Sequence, residues 1–293
     1  MKNYQEKASI DYSPDRPSGK YMDLCKKTMD LIQNYRILPK KHLGQNFMID
    51  SHYLQLLASY AKIKRSDTVL EVGAGLGFLT RILAQKSKTV LAVEIDTRLV
   101  KVLQNELIAF ENIKLIEGDI LKDPIPPFQK LVSNPPFSIS SPLLFWLLGR
   151  TFSHATLTLQ EDFARRLNAP LGSKDYSRLT VSTYFHFEVE LLDNVPRKAF
   201  FPLPKVDAVI VQLKHKTPSP FLVKDKGIFN DVVRTLFTQR NRKVRNAILP
   251  LFREHGPIDV AAKKKAFRLP FLNKRVRELA PEDFGMLANE LSV

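Results

Sequence analysis

The stretch that most constrains the fold is Glu71-Val-Gly-Ala-Gly-Leu-Gly77, three glycines at alternate positions between an apolar run over Thr68–Val72 and an amphipathic segment over 78–85. A strand that turns at once into a helix needs residues free to take left-handed backbone angles, and glycine does so without a Cβ penalty. The arrangement sets backbone N–H groups and a helix N-terminus at the C-terminal edge of a sheet, where open α/β sheets bind ligands. Short apolar runs at 89–95, Ile113–Glu117, Lys130–Ser133 and 155–159 then alternate with helical periodicity at 97–110 and from 143 onward. Strands alternating with helices in this way specify a parallel, doubly wound α/β sheet.

Two acids stand at the ends of the next strands. Glu94 closes the second strand, 21 residues beyond Gly73, the place from which a carboxylate accepts both hydroxyls of a ribose. Asp119 closes the third and is placed to accept from an adenine amino group. The glycine spacing is GxGxG, with Phe78 following it, which departs from the dinucleotide fingerprint. The expected ligand is an adenosine-bearing cofactor without a pyrophosphate, S-adenosyl-L-methionine.

The fourth strand runs into Asn134-Pro-Pro-Phe137. Two prolines stiffen the turn and remove two N–H donors, fixing the Asn134 side-chain oxygen and the Pro135 carbonyl as convergent acceptors. An exocyclic purine amine is a poor nucleophile because its lone pair is delocalised into the ring. Acceptors aimed at its hydrogens favour a pyramidal nitrogen whose lone pair faces a sulfonium methyl, which is positioning and electrostatic preorganisation without a strong base. Phe137 offers a face on which an extruded base stacks.

Charge separates the remainder of the chain. The net charge is +15, yet residues 69–140 carry eight basic and eight acidic side chains, whereas 214–293 carry 17 basic against 8 acidic. Pro196, Pro202 and Pro204 precede 207–214, which alternates like an edge or hairpin strand. Beyond Pro220 the periodicity is helical, with stripes of Phe229, Val232, Val233, Leu236 and Phe237, then Val244, Ile248 and Leu249. Arg240, Arg242, Lys243 and Arg245 lie too close together for one helical stripe and read as phosphate contacts. Phe200 and Phe201 are either core residues or the second face of a base clamp. Residues 1–35 form an extension with a helix expected over 21–34, and 263–265 is a lysine run that suits a solvated face equally well.

Several classes are excluded. A lone cysteine, Cys25, leaves no disulfide framework, and the six histidines show no metal spacing, so no metal is expected. No apolar run approaches a membrane span, and residues 1–20 lack the apolar core of a secretory signal, so a cytoplasmic protein is expected.

These motifs together resemble a known family. Lys40-Lys-His-Leu-Gly-Gln-Asn-Phe47, the loop at 73–77, Glu94, Asp119 and Asn134–Phe137, in that order, are similar to the KsgA-type ribosomal RNA adenine dimethyltransferases. Val195-Pro-Arg-Lys-Ala-Phe-Phe-Pro-Leu-Pro-Lys-Val-Asp207 and Leu236-Phe-Thr-Gln-Arg-Asn-Arg-Lys-Val-Arg-Asn246 extend the resemblance to roughly residues 36–293. It implies a Rossmann-like class I methyltransferase sheet over 36–216 and a smaller basic α-helical, rRNA-docking domain over 217–293. It further implies that Asn46, Met48 (through its backbone), Gly73, Gly75, Glu94, Asp119 and Asn134 hold S-adenosylmethionine. Asn134, Pro135 and Phe137 would hold the target adenine, and Arg240, Arg242, Lys243, Arg245, Phe200 and Phe201 the RNA. The implied reaction dimethylates two adjacent adenosines in the 3′-terminal hairpin of small-subunit rRNA, in a pre-ribosomal subunit, by a monomer. The family usually carries Asn-Leu-Pro-Tyr, whereas Pro135 and Phe137 resemble DNA adenine methylases. A large-subunit rRNA methylase, a DNA adenine methylase and a non-catalytic assembly or transcription factor on the same fold are the alternatives.

Overall fold

The structure is a computed structural model that describes residues 24–253 and 268–292. The arm before residue 24 and the lysine run at 263–265 lie outside the described residues.

The apolar runs form the strands expected of them: β2 (Thr68–Val72), β3 (Thr89–Glu94), β4 (Ile113–Glu117), β5 (Lys130–Ser133) and β6 (His154–Gln160). With β7 (Phe187–Val195) and β9 (Ala208–His215) they make one sheet in the order β4-β3-β2-β5-β6-β9-β7. The first five are parallel, and β9 is antiparallel to both β6 and β7. Helices α2 (Ser51–Tyr60), α3 (Phe78–Ala84) and α4 (Thr97–Glu106) pack on one face and α5 (Ser140–Leu148) and α6 (Glu161–Leu167) on the other. Val69, Val90 and Ala92 point into the first core, and Leu70, Leu91 and Leu131 into the second. A sheet covered on both faces needs apolar residues at successive positions, which is why these strands read as unbroken runs.

One expectation is corrected in part. The alternating segment at 207–214 is the inner arm of a hairpin and no edge, because β7 covers it. β7 escapes the sequence pattern because its register shifts between Leu191 and Asn194, a bulge that breaks the alternation of Phe187, Val189 and Leu191.

Helix α1 (Leu24–Asn34) does not stand apart as an extension. Leu24, Leu31 and Ile37 are buried in the core beside α2 to α4, and the Lys27 ammonium lies 3.1 Å from the Glu106 carboxylate. The helices after β9, including α8 (Lys226–Phe237) and α9 (Val244–Ala247), build a third core around Phe229, Leu236 and Phe284. That core also takes Tyr176 and, from α7 (Arg178–His186), Val181 and Phe185, while Leu179 of the same helix points into the sheet core. Among the described residues, no helix is long and apolar enough to cross a membrane.

Candidate active site

The chain runs outward from β2 to β4 on one side and resumes at β5 on the other, so β2 and β5 flank the switch point of the sheet. An open cavity lies there, at the sheet edge where α/β folds of this kind bind ligands. Its lining comes mainly from the glycine loop, the ends of β3 and β5 and a short strap over residues 43–48, with Leu54, Leu79 and Leu99 from the helices behind.

The glycine loop is shaped by what it must pass. Gly73 has φ 74°, and a Cβ there would stand 2.7 Å from Cδ of Pro136, so the loop and the proline turn touch across the site. The Ser133 hydroxyl donates to the Val72 carbonyl and ties the ends of β5 and β2 together.

Three acids meet this region in different states. Glu94 is buried at the end of β3, where its carboxylate accepts from Gly75 N–H at 2.9 Å, Ile95 N–H at 3.0 Å and Asp96 N–H at 2.9 Å. Burial pushes the Glu94 carboxyl up, and the three backbone donors oppose that rise. Glu71 is fully buried in β2, its Oε2 has no partner, and burial pushes its carboxyl up to about 8. Asp96 sits behind the cavity, and hydrogen bonding to the Arg98 guanidinium holds its carboxyl well below the usual range.

Asn134 closes the site from β5. Its Nδ2 donates to the Asn46 carbonyl at 3.3 Å, and its buried Oδ1 has no partner. A buried amide oxygen without a donor is costly. The residue lines the cavity, and its amide is oriented by the bond its own nitrogen makes. Pro135 is buried, and Phe137 is half-buried, meeting the Phe200 ring edge-to-face at 5.8 Å.

The structure thus gathers Asn46, Met48, Gly73, Gly75, Glu94 and Asn134 around one cavity. Asp119 does not line it: Oδ1 accepts from Leu121 N–H at 3.0 Å, and the Lys122 ammonium lies 3.3 Å from Oδ2. Phe200 is not an exposed clamp face, being 2% exposed. It alternates with half-buried Phe201 in β8 (Phe200–Phe201), which pairs with β1 (Phe47–Met48), so only one ring of the pair faces outward. Arg240 is also corrected, because its guanidinium donates to the carbonyls of Lys174 at 2.8 Å and Ser173 at 3.1 Å and fastens a loop of the sheet unit to the helical unit. Arg242, Lys243 and Arg245 remain exposed. Glu71 stands outside the residues singled out by sequence, although an acid inside an otherwise apolar strand is a signal; Gln45 lies in the 40–47 motif with no sign of its partner, and Asp96 carries no signal.

A doubly wound sheet with an antiparallel strand inserted next to its far edge, and a glycine-loop cavity at its switch point, defines a class I, Rossmann-like methyltransferase. The model of ribosomal RNA adenine dimethylases matches residues 38–275, and the chain belongs to that family. A probable ribosomal RNA small subunit methyltransferase A of Methanosarcina acetivorans is 44% identical over 249 residues, spanning 84% of this chain and 91% of the relative. A dimethyladenosine transferase structure from Plasmodium falciparum is similar with a TM-score of 0.69 at 32% identity, covering 81% of this chain and 94% of its own. The structure of the 23S rRNA methyltransferase ErmE is similar with a TM-score of 0.60 at 30% identity, covering 85% and 100%.

Proposed function

We propose that this enzyme transfers methyl groups from S-adenosyl-L-methionine to N6 of two adjacent adenosines in the 3′-terminal hairpin of small-subunit rRNA, dimethylating each. The reading places it in the cytoplasm, acting as a monomer on a pre-ribosomal small subunit. The observation that carries it is Asn134 Oδ1, a buried acceptor without a donor at the end of β5. An adenine amine supplies the missing N–H.

The cavity suits the cofactor. Glu94 stands at the strand end from which a carboxylate accepts a ribose diol, and the glycine loop leaves room for close approach of backbone N–H groups. Glu71 Oε2, buried and unpartnered, faces a need for a cation or a proton that a cationic cofactor answers. Met48 and Asn46 line the same space from the strap. Asp119 would have to turn from Lys122 to reach an adenine amine, so its role is the one that requires rearrangement.

When bound, S-adenosylmethionine supplies an electrophilic sulfonium methyl. Asn134 holds the target amine by one of its hydrogens and the rigid Pro135 carbonyl is the second acceptor, so the nitrogen presents its lone pair. Phe137 supports the base, itself braced by Phe200. No side chain is asked to remove a proton in advance, because the amine becomes acidic only as the methyl arrives. Arg242, Lys243 and Arg245 grip rRNA phosphates from the helical unit, while the cavity rim handles the adenosine groups.

The likeness to ErmE favours one second reading, a large-subunit target. Labelled methyl transfer distinguishes them. Undermethylated small subunits should accept label on N6-dimethyladenosine, whereas large-subunit RNA and DNA should not. Label on large-subunit RNA in preference to small subunits would overturn the assignment.

A further inference from the structure

The strap over the cavity is fastened at both sides. On the proline-turn side, Asn134 Nδ2 donates to the Asn46 carbonyl and the Ser138 hydroxyl to the Leu43 carbonyl at 3.2 Å. Gly44, at φ 66°, lies so close to Ser138 that a Cβ would stand 2.6 Å from its Oγ. On the β3 side the fastening converges on one carboxylate. Gln45 Nε2 donates to Asp96 Oδ2 at 3.0 Å in a buried bond, and Gln45 Oε1 accepts from Lys40 N–H at 2.7 Å. The Lys40 ammonium lies 3.6 Å from the same Oδ2, and Arg98, paired with Asp96 at 2.6 Å, also donates to the Leu38 carbonyl.

Asp96 therefore has two connections. Its backbone N–H fixes Glu94, and its carboxylate fixes the strap. It is 3% exposed and does not line the cavity itself.

We propose that Asp96 is a positioning residue that, through Gln45, latches the strap across the cofactor cavity and sets how firmly the cofactor is held. The inference rests on reading the cavity as the S-adenosylmethionine site. Dimethylation of one nitrogen needs two molecules of donor, so spent cofactor must leave and fresh cofactor enter between transfers. The Gln45–Asp96 joint is the buried polar contact that must open for the strap to lift on the β3 side. A merely structural account exists too: Asp96 Oδ1 accepts from Arg98 N–H at 3.2 Å and caps α4.

The test separates the two roles. Asp96→Asn keeps a capping oxygen, since Asn caps helices as well as Asp does, but turns an amide toward the Gln45 amide. Gln45→Glu sets two carboxylates against each other and leaves the cap alone. Combining Asp96→Asn with Gln45→Glu restores the bond with donor and acceptor exchanged. Calorimetry with S-adenosylmethionine alone should show each single variant binding at least about tenfold more weakly, the loss of one bond to a charged group, with affinity returning in the double variant. Hydrogen exchange at residues 43–47 of the ligand-free chain should quicken in the single variants and slow again in the double. In turnover, KM for the donor should rise while kcat changes little. Single variants that bind like wild type, or a double variant as weak as the singles, would refute the latch. Wild-type chain that binds no S-adenosylmethionine would instead overturn the cofactor reading, and the latch with it.

Discussion

Replacing Gly73 with alanine should be costly for two separable reasons. The residue holds φ 74°, and an L-residue forced into the left-handed region loses roughly 1–2 kcal/mol. Its new Cβ would also stand 2.7 Å from Pro136 Cδ, inside van der Waals contact with a ring that cannot rotate away. Overpacking of this kind costs about 1–3 kcal/mol. The sum, about 2–5 kcal/mol, corresponds to a fall in Tm of roughly 3–8 °C for a chain of this size. Two controls isolate the parts. Gly172 has φ 79° with nothing within 4 Å of a built Cβ, so Gly172→Ala carries the backbone cost alone. Gly149 has φ −93° and equally open surroundings, so Gly149→Ala should be close to neutral or slightly stabilising. Thermal unfolding of the three variants, followed by calorimetric titration with S-adenosylmethionine, should rank them Gly73, Gly172, Gly149 in order of damage. If Gly73→Ala melts no lower than Gly172→Ala and still binds cofactor and transfers methyl normally, the contact between the glycine loop and the proline turn has no energetic weight, and the reasoning fails.

Asn134→Ala should lower turnover by about 10²–10³-fold, the usual cost of removing one preorganised hydrogen-bonding group; normal turnover would remove Asn134 from the mechanism. Burial raises the Glu71 carboxyl from 4.5 to about 8, so the folded chain holds a proton that the unfolded chain releases, and stability should fall as pH rises from about 4.5 to about 8. Glu71→Gln should therefore gain in Tm over wild type across that window, and a difference independent of pH would contradict it. Charge reversal at Arg242 and Arg245 should weaken binding to small subunits and flatten its salt dependence, with an unchanged slope arguing against phosphate contact there. Arg240→Ala should act differently, lowering Tm because two carbonyls of the 173–174 loop lose their donor.

The parts of this fold that can be read from sequence are those set by local rules. β2 to β6 declare themselves because both faces are covered, so their apolar residues are contiguous. The glycine loop and the strand-terminal Glu94 follow from the same geometry. Where a residue's role depends on which partner arrives from elsewhere in the chain, sequence is silent. Phe200 and Phe201 are chemically equivalent until the pairing of β8 with β1 turns one inward and the other outward. Arg240 sits among exposed arginines in sequence and is taken up by two carbonyls in space. Gln45 and Asp96, separated by 51 residues, become a pair only when the strap folds over β3. β7 is hidden in the sequence because a bulge interrupts the alternation that marks a strand.

Helix α7 gives the molecule a further property. Leu179 is embedded in the sheet unit, Val181 and Phe185 are embedded in the helical unit, and the Tyr176 hydroxyl donates to the Leu279 carbonyl at 2.7 Å. Tyr184 reaches Glu282 in the same direction at 2.8 Å. One rod common to two cores ties the helical unit to the sheet unit as the bar of a caliper ties its jaws. On the function proposed above, with phosphates held by the helical unit and a base by the cavity, such an instrument would select its adenosines by their distance from a landmark on the RNA. Changing its target would then require a different gauge length along α7, even with every residue of the catalytic mouth unchanged.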